Sequence, residues 1–436
     1  MTDTDAGLPA RAAALDLLDA ALARRNGLDE AMASPALARL APRDRGFALA
    51  VTLAALRNLG PIDRALEARL QKPPPERVRN ILRLGLAQAL ALGTPAHAAV
   101  ATSVDLAAQG STQGFKGLVN AVLRGVLREP PALDDPEALA PPWLYARWRA
   151  ALGDEAAAVA AVIRQEPATD LTLKDPQDAA ALAAELEAEI LPGGSLRTRR
   201  RGDVAAWPGF AEGRWWVQDA AAAVPARLLA VQPGEAVLDL CAAPGGKTLQ
   251  LAAAGGRVTA VDRSAPRLRR VHENLARLGL AAEVVTADAG GWDDGRTFDA
   301  VLLDAPCSAT GTFRRHPDVL WAARPGDIAS LAAVQSRLLD ASAARVRPGG
   351  RLIYCVCSLE PEEGEAQAAI FLARHPGFAL APIAPGEGGS PAESLRPDGT
   401  LRILPHHRAD GLDGFYVARF VRAGQAADLA PGAALS

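Results

Sequence analysis

The chain has 436 residues and a formal net charge of −3 at neutral pH; 49% of its residues are hydrophobic and 22% are charged. This length exceeds one compact core and predicts two or three domains, and the composition is typical of a globular protein. The weak net charge does not mark the whole chain as a nucleic-acid binder, although a local basic patch could still bind RNA.

The sequence has no run of about 18 uninterrupted apolar residues, which argues against a membrane span. Its first residues, MTDTDAG, are acidic and lack the apolar core of a secretion signal. We therefore expect a cytoplasmic protein with no membrane partner. The cysteines lack the paired CxxC spacing of a zinc site, and a disulfide framework is not expected at this size. They are Cys241, Cys307, Cys355 and Cys357.

The first part of the chain is predicted to be helical throughout. Over residues 9–128, leucines recur at helical spacing, as at Leu15, Leu18 and Leu22, and no stretch alternates with period two. We expect an all-α domain over residues 1–130.

A connector rich in proline and acidic residues leads to a mixed α+β region at residues 140–230. Residues 150–164 have a helical pattern and residues 169–174 that of a strand. Four arginines follow within the five positions from Arg197 to Arg201. Such a run is commonly a solvated surface, but beside a nucleic-acid active site it would contact phosphates.

From about Pro233 the pattern alternates between short apolar strands and helical segments. This alternation predicts a parallel sheet with helices on both faces over residues 231–423, followed by a flexible tail at 424–436. The predicted strands are residues 236–242, 257–263, 282–289, 298–306 and 351–359, with a late strand at 414–421.

The polar and reactive residues of this region fall at the predicted carboxyl ends of its strands. In open α/β sheets, ligands bind at that edge. The first strand ends at Cys241 and enters AAPGGKT, where Gly245 and Gly246 allow close approach of a ligand before a helix from about Thr248. The other strand ends carry Asp262, Asp288, Asp304 and Cys357.

The glycine loop is neither GxGxxG nor a Walker loop, which disfavours a dinucleotide or a triphosphate. A carboxylate at the end of the second strand fits a nucleoside whose ribose hydroxyls it binds. Asp262 is the candidate for the ribose and Asp288 the candidate for the base edge. Acids that follow strands are also commonly helix caps, so either one alone is weak support.

Three motifs, taken in order, carry a resemblance to a known family. DLCAAPGGKT (239–248), DAPCSATG (304–311) and CSLEPEEGE (357–365) resemble the signature set of the Sun-type (NOL/NOP/Sun) RNA cytosine-5 methyltransferases. The segment FKGLVNAVLRGVLR (115–128) resembles a NusB-like RNA-binding domain. Together they resemble the bacterial RsmB-like subfamily, which methylates small-subunit ribosomal RNA. The resemblance implies an all-α NusB-like domain, a small α+β region and a Rossmann-like methyltransferase domain.

The resemblance also implies S-adenosylmethionine as cofactor and RNA as partner. It makes Cys357, directly before Ser358, the nucleophile, and Cys307 a residue that assists product release. The cofactor-binding residues it implies are Cys241, Ala242, Ala243, Pro244, Gly245, Gly246, Lys247, Asp262, Arg267, Asp288 and the main chain near Asp304.

The chemistry gives separate reasons for these residue types. A thiolate that adds to carbon 6 of cytosine converts the ring to an enamine, which can attack a methyl group from carbon 5. Asp304 could protonate or hydrogen-bond ring nitrogen 3, and Lys247 is placed to orient or charge-pair the reacting groups. Lys247 could instead be a structural cation that caps the loop. Cys355 faces the same side of the strand as Cys357 and is the rival nucleophile.

The substrate is expected to be a cytosine splayed out of folded RNA, bound by a monomeric enzyme. A transfer-RNA methyltransferase of the same family is the closest alternative. A non-catalytic RNA-binding factor would not need Asp304, Cys307 and Cys357 intact, and a small-molecule methyltransferase would not need two cysteines at the sheet edge or the helical front.

Overall fold

The computed structural model describes residues 7–23 and 27–424, which form two compact units. The helical unit contains the described residues up to Glu166 together with Thr312–Arg324. The sheet unit contains Pro167–Gly311 and the described residues from Pro325 onward. The acidic first residues, 1–6, and nearly all of the predicted tail, residues 425–436, lie outside the described ranges.

The helical unit confirms the all-α prediction for its described residues. Leucines and valines at helical spacing form one buried core, as with Leu18, Val51 and Leu123. Its helices are α1 (Leu8–Ala23), α2 (Gly27–Met32), α3 (Pro35–Ala38), α4 (Pro42–Arg57), α5 (Leu59–Glu67), α6 (Glu76–Leu90), α7 (Ala96–Ala107), α8 (Lys116–Arg128), α9 (Pro136–Leu139), α10 (Pro142–Leu152), α11 (Glu155–Ala161) and, from the returning segment, α16 (Asp318–Ala322).

The structure divides the predicted middle region between the two units. The helix predicted over residues 150–164 is broken at Gly153, whose φ of +59° ends α10 before α11 begins, and both helices belong to the helical unit. The rest of the region belongs to the sheet unit and forms a small antiparallel sheet of order β2-β3-β1-β4. Its elements are β1 (Thr169–Leu173), α12 (Ala179–Leu186), β2 (Glu189–Ile190), β3 (Leu196–Thr198) and β4 (Trp215–Val217).

The large sheet of the sheet unit has the order β10-β12-β9-β8-β5-β6-β7, and β11 pairs with β12. Its strands are β5 (Ala236–Leu240), β6 (Arg257–Asp262), β7 (Glu283–Thr286), β8 (Phe298–Asp304), β9 (Val346–Val356), β10 (Phe378–Leu380), β11 (Leu401–Ile403) and β12 (Phe415–Arg422). The helices around it are α13 (Ala220–Leu228), α14 (Gly246–Ala253), α15 (Ala265–Leu278), α17 (Pro325–Arg345) and α18 (Glu365–Arg374).

The prediction of a parallel sheet is correct for β5 to β9 and wrong for the late strand. β12 pairs antiparallel with β9 on one side and with β10 on the other, which makes the sheet mixed. The sheet is buried on both faces: Leu352 and Tyr354 of β9 pack into one apolar cluster, and Ile353 and Cys355 pack into the other. Both faces therefore form core, and the polar side chains are left to the ends of the strands.

Within the described ranges, no helix has both the length and the apolar content of a membrane span.

Candidate active site

The loop between β5 and α14 has a backbone that needs glycine at one position. Gly245 has a φ of +106°, and a Cβ there would lie 3.0 Å from Cγ2 of Val271. Helix α14 begins at Gly246, two residues earlier than predicted, because this turn brings the chain into the helix at once. Without side chains at Gly245 and Gly246, the loop can bring its backbone close to a ligand.

Asp262 ends β6 as predicted and is almost fully buried. Its Oδ2 accepts a hydrogen bond from the backbone N–H of Ala243 at 3.1 Å, and its Oδ1 accepts one from that of Ser264 at 2.8 Å. A carboxylate has about four lone-pair sites, so both oxygens can still accept bonds from hydroxyl groups. Asp262 thus joins the glycine loop to the start of α15.

Arg267 and Asp288 border this part of the edge. The Arg267 guanidinium donates to the carbonyl of Ala243 and lies 3.9 Å from Asp262 Oδ2. Asp288 lies two residues beyond the end of β7 and is exposed; it accepts hydrogen bonds from the Gly290 N–H at 3.0 Å and from Arg337 at 3.4 Å. Its position near the strand end matches the prediction, although it follows the strand rather than closing it.

Cys241 has no reactive thiol in this arrangement. It follows β5 with a φ of +61°, and burial together with the nearby carboxylates of Asp262 and Asp304 raises the pKa of its thiol to about 12. The thiol therefore stays neutral at physiological pH. The buried carboxylate of Asp262, the glycine loop and the exposed carboxylate of Asp288 offer the acceptors and main-chain groups that a nucleoside can bind, so these residues fit such a group.

Lys247 and Asp304 form an ion pair between the glycine loop and the end of β8. The Lys247 Nζ lies 2.7 Å from Asp304 Oδ2, and the ammonium also lies 5.2 Å from the ring centroid of Phe415. Burial by itself would lower the pKa of Lys247, but the attraction of Asp304 outweighs it and the net pKa is raised. Lys247 is therefore a buried cation with its charge directed at the strand ends.

Cys307 and Cys357 are brought into contact although 50 residues separate them. Their Sγ atoms lie 3.5 Å apart. Cys357 directly follows β9 and is half-buried, whereas Cys307 is buried. The hydrogen bond with Cys357 and burial raise the pKa of Cys307 well above its usual value. The two thiols thus differ in exposure.

Cys355, the rival nucleophile, is a core residue of β9. Its side chain is fully buried, and its Sγ lies 3.5 Å from Asp304 Oδ1. Burial and the Asp304 carboxylate raise the pKa of this thiol well above its usual value. A thiol that is neither accessible nor easily ionised is a poor nucleophile.

The arginine run does not act as one basic surface. Arg197 is buried and binds both carboxylate oxygens of Asp170, at 2.6 and 2.7 Å, and Asp410 at 2.7 Å. The expectation that it contacts phosphate is therefore wrong: its charge is used inside the small sheet. Arg199, Arg200 and Arg201 are exposed.

A carboxylate that the sequence argument did not single out lies behind the two cysteines. Glu363 is fully buried and accepts hydrogen bonds from Ser308 and Ser358, the residues that directly follow Cys307 and Cys357. The motif CSLEPEEGE contains this acid, but its spacing alone does not say that Glu360 and Glu363 are the acids that are buried.

Two family descriptions match the chain. Residues 226–421 match the family described as 16S rRNA methyltransferase RsmB/F, and residues 8–128 match the NusB family. A ribosomal RNA small subunit methyltransferase B from Sodalis glossinidius is 38% identical over 419 residues, which cover 91% of this chain and 94% of that protein. The protein of the same name from Pseudomonas syringae pv. tomato is 37% identical, with 94% and 96% covered.

Solved structures share the fold. The structure described as PH0851 has a TM-score of 0.77 at 24% identity and covers 95% of this chain and 98% of that one. NSun6 from Pyrococcus horikoshii, solved with SFG, has a TM-score of 0.55 at 20% identity and covers 65% of this chain and 99% of its own.

Proposed function

Since the chain belongs to the RsmB/F family of 16S rRNA methyltransferases, we propose that it methylates carbon 5 of a cytosine in small-subunit ribosomal RNA, with Cys357 as nucleophile. The chain is an enzyme of the S-adenosylmethionine-dependent class. The observation that carries the proposal is the contact between two thiols beside a buried ion pair, at the end of the sheet where the glycine loop also lies.

The glycine loop and Asp262 are the residues that would hold the cofactor. The carboxylate of Asp262 would accept hydrogen bonds from the ribose hydroxyls, and Asp288 would accept from the base edge. Arg267 would keep the loop closed through its bond to Ala243. When bound, S-adenosylmethionine supplies an electrophilic methyl group.

Cys357 is the thiol best suited to attack. It is half-buried and so open to a substrate, while Cys355 is enclosed in the core. Attack requires the thiolate form of Cys357, and Lys247 places a buried cation at the same edge of the sheet. Addition of this thiolate to carbon 6 makes carbon 5 nucleophilic.

Asp304 is placed to share a proton with ring nitrogen 3 as negative charge builds there. Lys247 holds its Oδ2, which fixes the orientation of the carboxylate. The ion pair thus fixes the Asp304 carboxylate in one orientation for acid–base work, whereas an unpaired acid on the surface would rotate freely.

Cys307 is suited to the later release step because its ionisation depends on Cys357. While Cys357 is a free thiol or thiolate, the hydrogen bond between them and the charge of Cys357 raise the pKa of Cys307. When Cys357 becomes a thioether, both effects end and Cys307 ionises more readily. Its thiolate could then take the proton from carbon 5, and the Cys357 sulfur would leave carbon 6.

The RNA partner is expected to present an unpaired or locally opened cytosine. The exposed Arg199 and Arg200 and the NusB-family unit are the candidates for phosphate contacts. Relatives named as small-subunit rRNA methyltransferases favour ribosomal RNA over transfer RNA. A monomeric enzyme in the cytoplasm remains part of this proposal.

The test is incubation with labelled S-adenosylmethionine and small-subunit ribosomal RNA, comparing the wild type with Cys357→Ser and Cys307→Ala. We expect no product from Cys357→Ser, because serine is a far weaker nucleophile. From Cys307→Ala we expect a covalent protein–RNA adduct, visible on a denaturing gel, because addition proceeds while release stalls. Full activity of Cys357→Ser, with an adduct that forms through another cysteine, would reverse the assignment.

A further inference from the structure

Glu363 is a buried carboxylate without a cationic partner. It lies between β9 and α18 and is fully buried. Among the described residues, no lysine, arginine or histidine forms an ion pair with it. Burying a charge is unfavourable unless hydrogen bonds replace the lost water, so its bonding partners account for its presence.

Each oxygen of Glu363 accepts two hydrogen bonds. Oε1 accepts from the backbone N–H of Ser308 at 2.9 Å and from Nε2 of Gln335 at 3.0 Å. Oε2 accepts from the hydroxyl of Ser358 at 2.5 Å and from that of Ser308. The carbonyl of Glu363 accepts a further bond from the Tyr354 hydroxyl at 2.5 Å.

These donors belong to the two segments that carry the reactive cysteines. Ser308 directly follows Cys307, and Ser358 directly follows Cys357. Gln335, from α17, also donates to the carbonyl of Pro306, the residue before Cys307. The Glu363 carboxylate thus binds the residues next to both thiols from the interior of the sheet unit.

Backbone bonds between the two segments are fewer than these side-chain bonds. Ala305 N–H donates to the Cys355 carbonyl and Gly311 N–H to that of Cys357, both at 3.0 Å, so the backbone bonds lie on either side of Cys307. At Ser308 itself the connection to the other segment runs through Glu363 and through Ser358, whose Oγ is 3.0 Å from that of Ser308.

We propose that Glu363 is a positioning residue that holds the sulfurs of Cys307 and Cys357 at contact distance by binding Ser308 and Ser358. This inference rests on the proposed function, in which one thiol adds to the ring and the other acts in release. Both steps need sulfur atoms placed within a fraction of an ångström, and a displacement of about 1 Å can cost about 100-fold in rate.

Ser358 and Ser308 are each expected to affect a different step, addition or release. Without the Ser358 hydroxyl the segment of Cys357 loses one of its bonds to the carboxylate, so addition should slow. Without the Ser308 hydroxyl the segment of Cys307 is loosened, so release should slow. If Glu363 only stabilised the fold, neither serine substitution would slow one step more than the other.

The experiment uses the full chain, S-adenosylmethionine and small-subunit RNA transcribed with 5-fluorocytidine triphosphate in place of CTP. After methyl transfer, carbon 5 carries fluorine in place of the proton that release must remove, so the adduct persists and its formation rate reports addition and methyl transfer without release. Unmodified RNA reports complete turnover. The variants are Glu363→Gln, Glu363→Ala, Ser358→Ala and Ser308→Ala.

We expect Glu363→Ala to lower the adduct rate about 10- to 100-fold and Glu363→Gln to lower it less, since the amide keeps the size and two acceptor sites. The KM for the cofactor should stay within about twofold, because the bonds of Asp262 are untouched. Ser358→Ala should slow adduct formation on fluorinated RNA. Ser308→Ala should leave that rate nearly unchanged and accumulate adduct on unmodified RNA.

Asp170→Asn is the matched control. Asp170 is another buried carboxylate of the sheet unit, bound by Arg197 in the small sheet and away from the cysteines. It should lower thermal stability and leave the adduct rate of the folded protein unchanged, which separates lost stability from lost positioning.

Wild-type adduct and turnover rates in both Glu363 variants would overturn the inference while leaving the proposed function intact. A parallel fall in adduct rate for Asp170→Asn and Glu363→Ala would also overturn it, because stability alone would then explain the loss. If the wild type itself formed neither adduct nor product, the nucleophile assignment would fail and this inference with it.

Discussion

The two halves of the sheet edge are built differently. At the ends of β5, β6 and β7, the carboxylates of Asp262 and Asp288 each accept a hydrogen bond from a backbone N–H two residues further along the chain, that of Ser264 and that of Gly290. At the ends of β8 and β9, the groups around Cys307 and Cys357 are joined by side chains about 50 residues apart.

This difference fits the roles proposed for the two halves. A ligand site needs acceptors with spare lone pairs and an open backbone, and local turns supply both. A reacting site needs two sulfurs and an acid at set distances, and only bonds between distant segments can fix those distances. The first half is therefore expected to govern cofactor affinity, and the second half the rate. Four substitutions test this division.

The largest effect is expected from Lys247→Met. The change removes the cation that pairs with Asp304 and fixes its carboxylate beside the reacting groups, so kcat should fall on the order of 1000-fold. The initial rate with labelled cofactor measures it. Lys174→Met is the control, because Lys174 is an exposed lysine whose ammonium bonds to the Leu278 carbonyl. A loss in kcat below threefold would show that Lys247 only caps the loop.

Asp262→Asn should act on binding and spare the chemistry. The amide keeps the shape but replaces one charged acceptor, and hydrogen bonds to charged groups contribute about 1.5–3 kcal/mol, so the cofactor Kd should rise about 10- to 100-fold. Isothermal titration calorimetry measures Kd, and kcat at saturating cofactor should change little. Asp299→Asn is the control: its carboxylate also accepts a backbone N–H, from Ala236, at the other end of the sheet. An unchanged Kd would separate Asp262 from the cofactor.

Gly245→Ala tests the backbone of the glycine loop. The new Cβ meets Val271 and the φ of +106° disfavours alanine, so stability should fall by about 1–2 kcal/mol and cofactor Kd should rise about tenfold. Gly234→Ala separates the two causes, because Gly234 also has a positive φ, of +84°, but no atom within 4 Å of the added Cβ. Thermal melts and calorimetry of both variants give the comparison. If both variants lost the same stability and the same cofactor affinity, the positive φ would explain the whole effect.

Asp288→Asn should have the smallest effect. The side chain is exposed, so its bond to a ligand competes with water and is worth little, and the cofactor Kd should rise about two- to threefold. Titration against the wild type at one ionic strength measures it. A rise as large as that for Asp262→Asn would mean that the cofactor covers Asp288 and removes it from water.

Much of the architecture could be predicted because its signals are local. Apolar runs of strand length indicated where Asp262 and Asp304 end β6 and β8, and leucine spacing indicated the helical unit. The reversed direction of β12 had no such signal, since parallel and antiparallel edge strands share the same apolar pattern.

Individual charged residues were harder to assign. Arg197 and Arg199 lie in the same arginine-rich stretch. Arg197 is nevertheless buried, because it pairs with Asp170, 27 residues earlier in the chain. Among the acids that follow Cys357, Glu360 and Glu363 are buried, whereas Glu365 pairs with Arg402. Neither outcome depends on spacing along the chain, because each is decided by a partner from another segment.

By itself the sequence determined which residue types reach the edge of the sheet: a glycine loop, acids at the ends of strands, and cysteines in two motifs. These follow from short-range patterns that any strand and its turn obey. Only the tertiary structure decided that Cys307 and Cys357 touch, that Cys355 is enclosed and that Glu363 bonds to the residues that follow both cysteines. Those relations arise when β8 and β9 pair side by side, which brings residues 50 positions apart within hydrogen-bond distance.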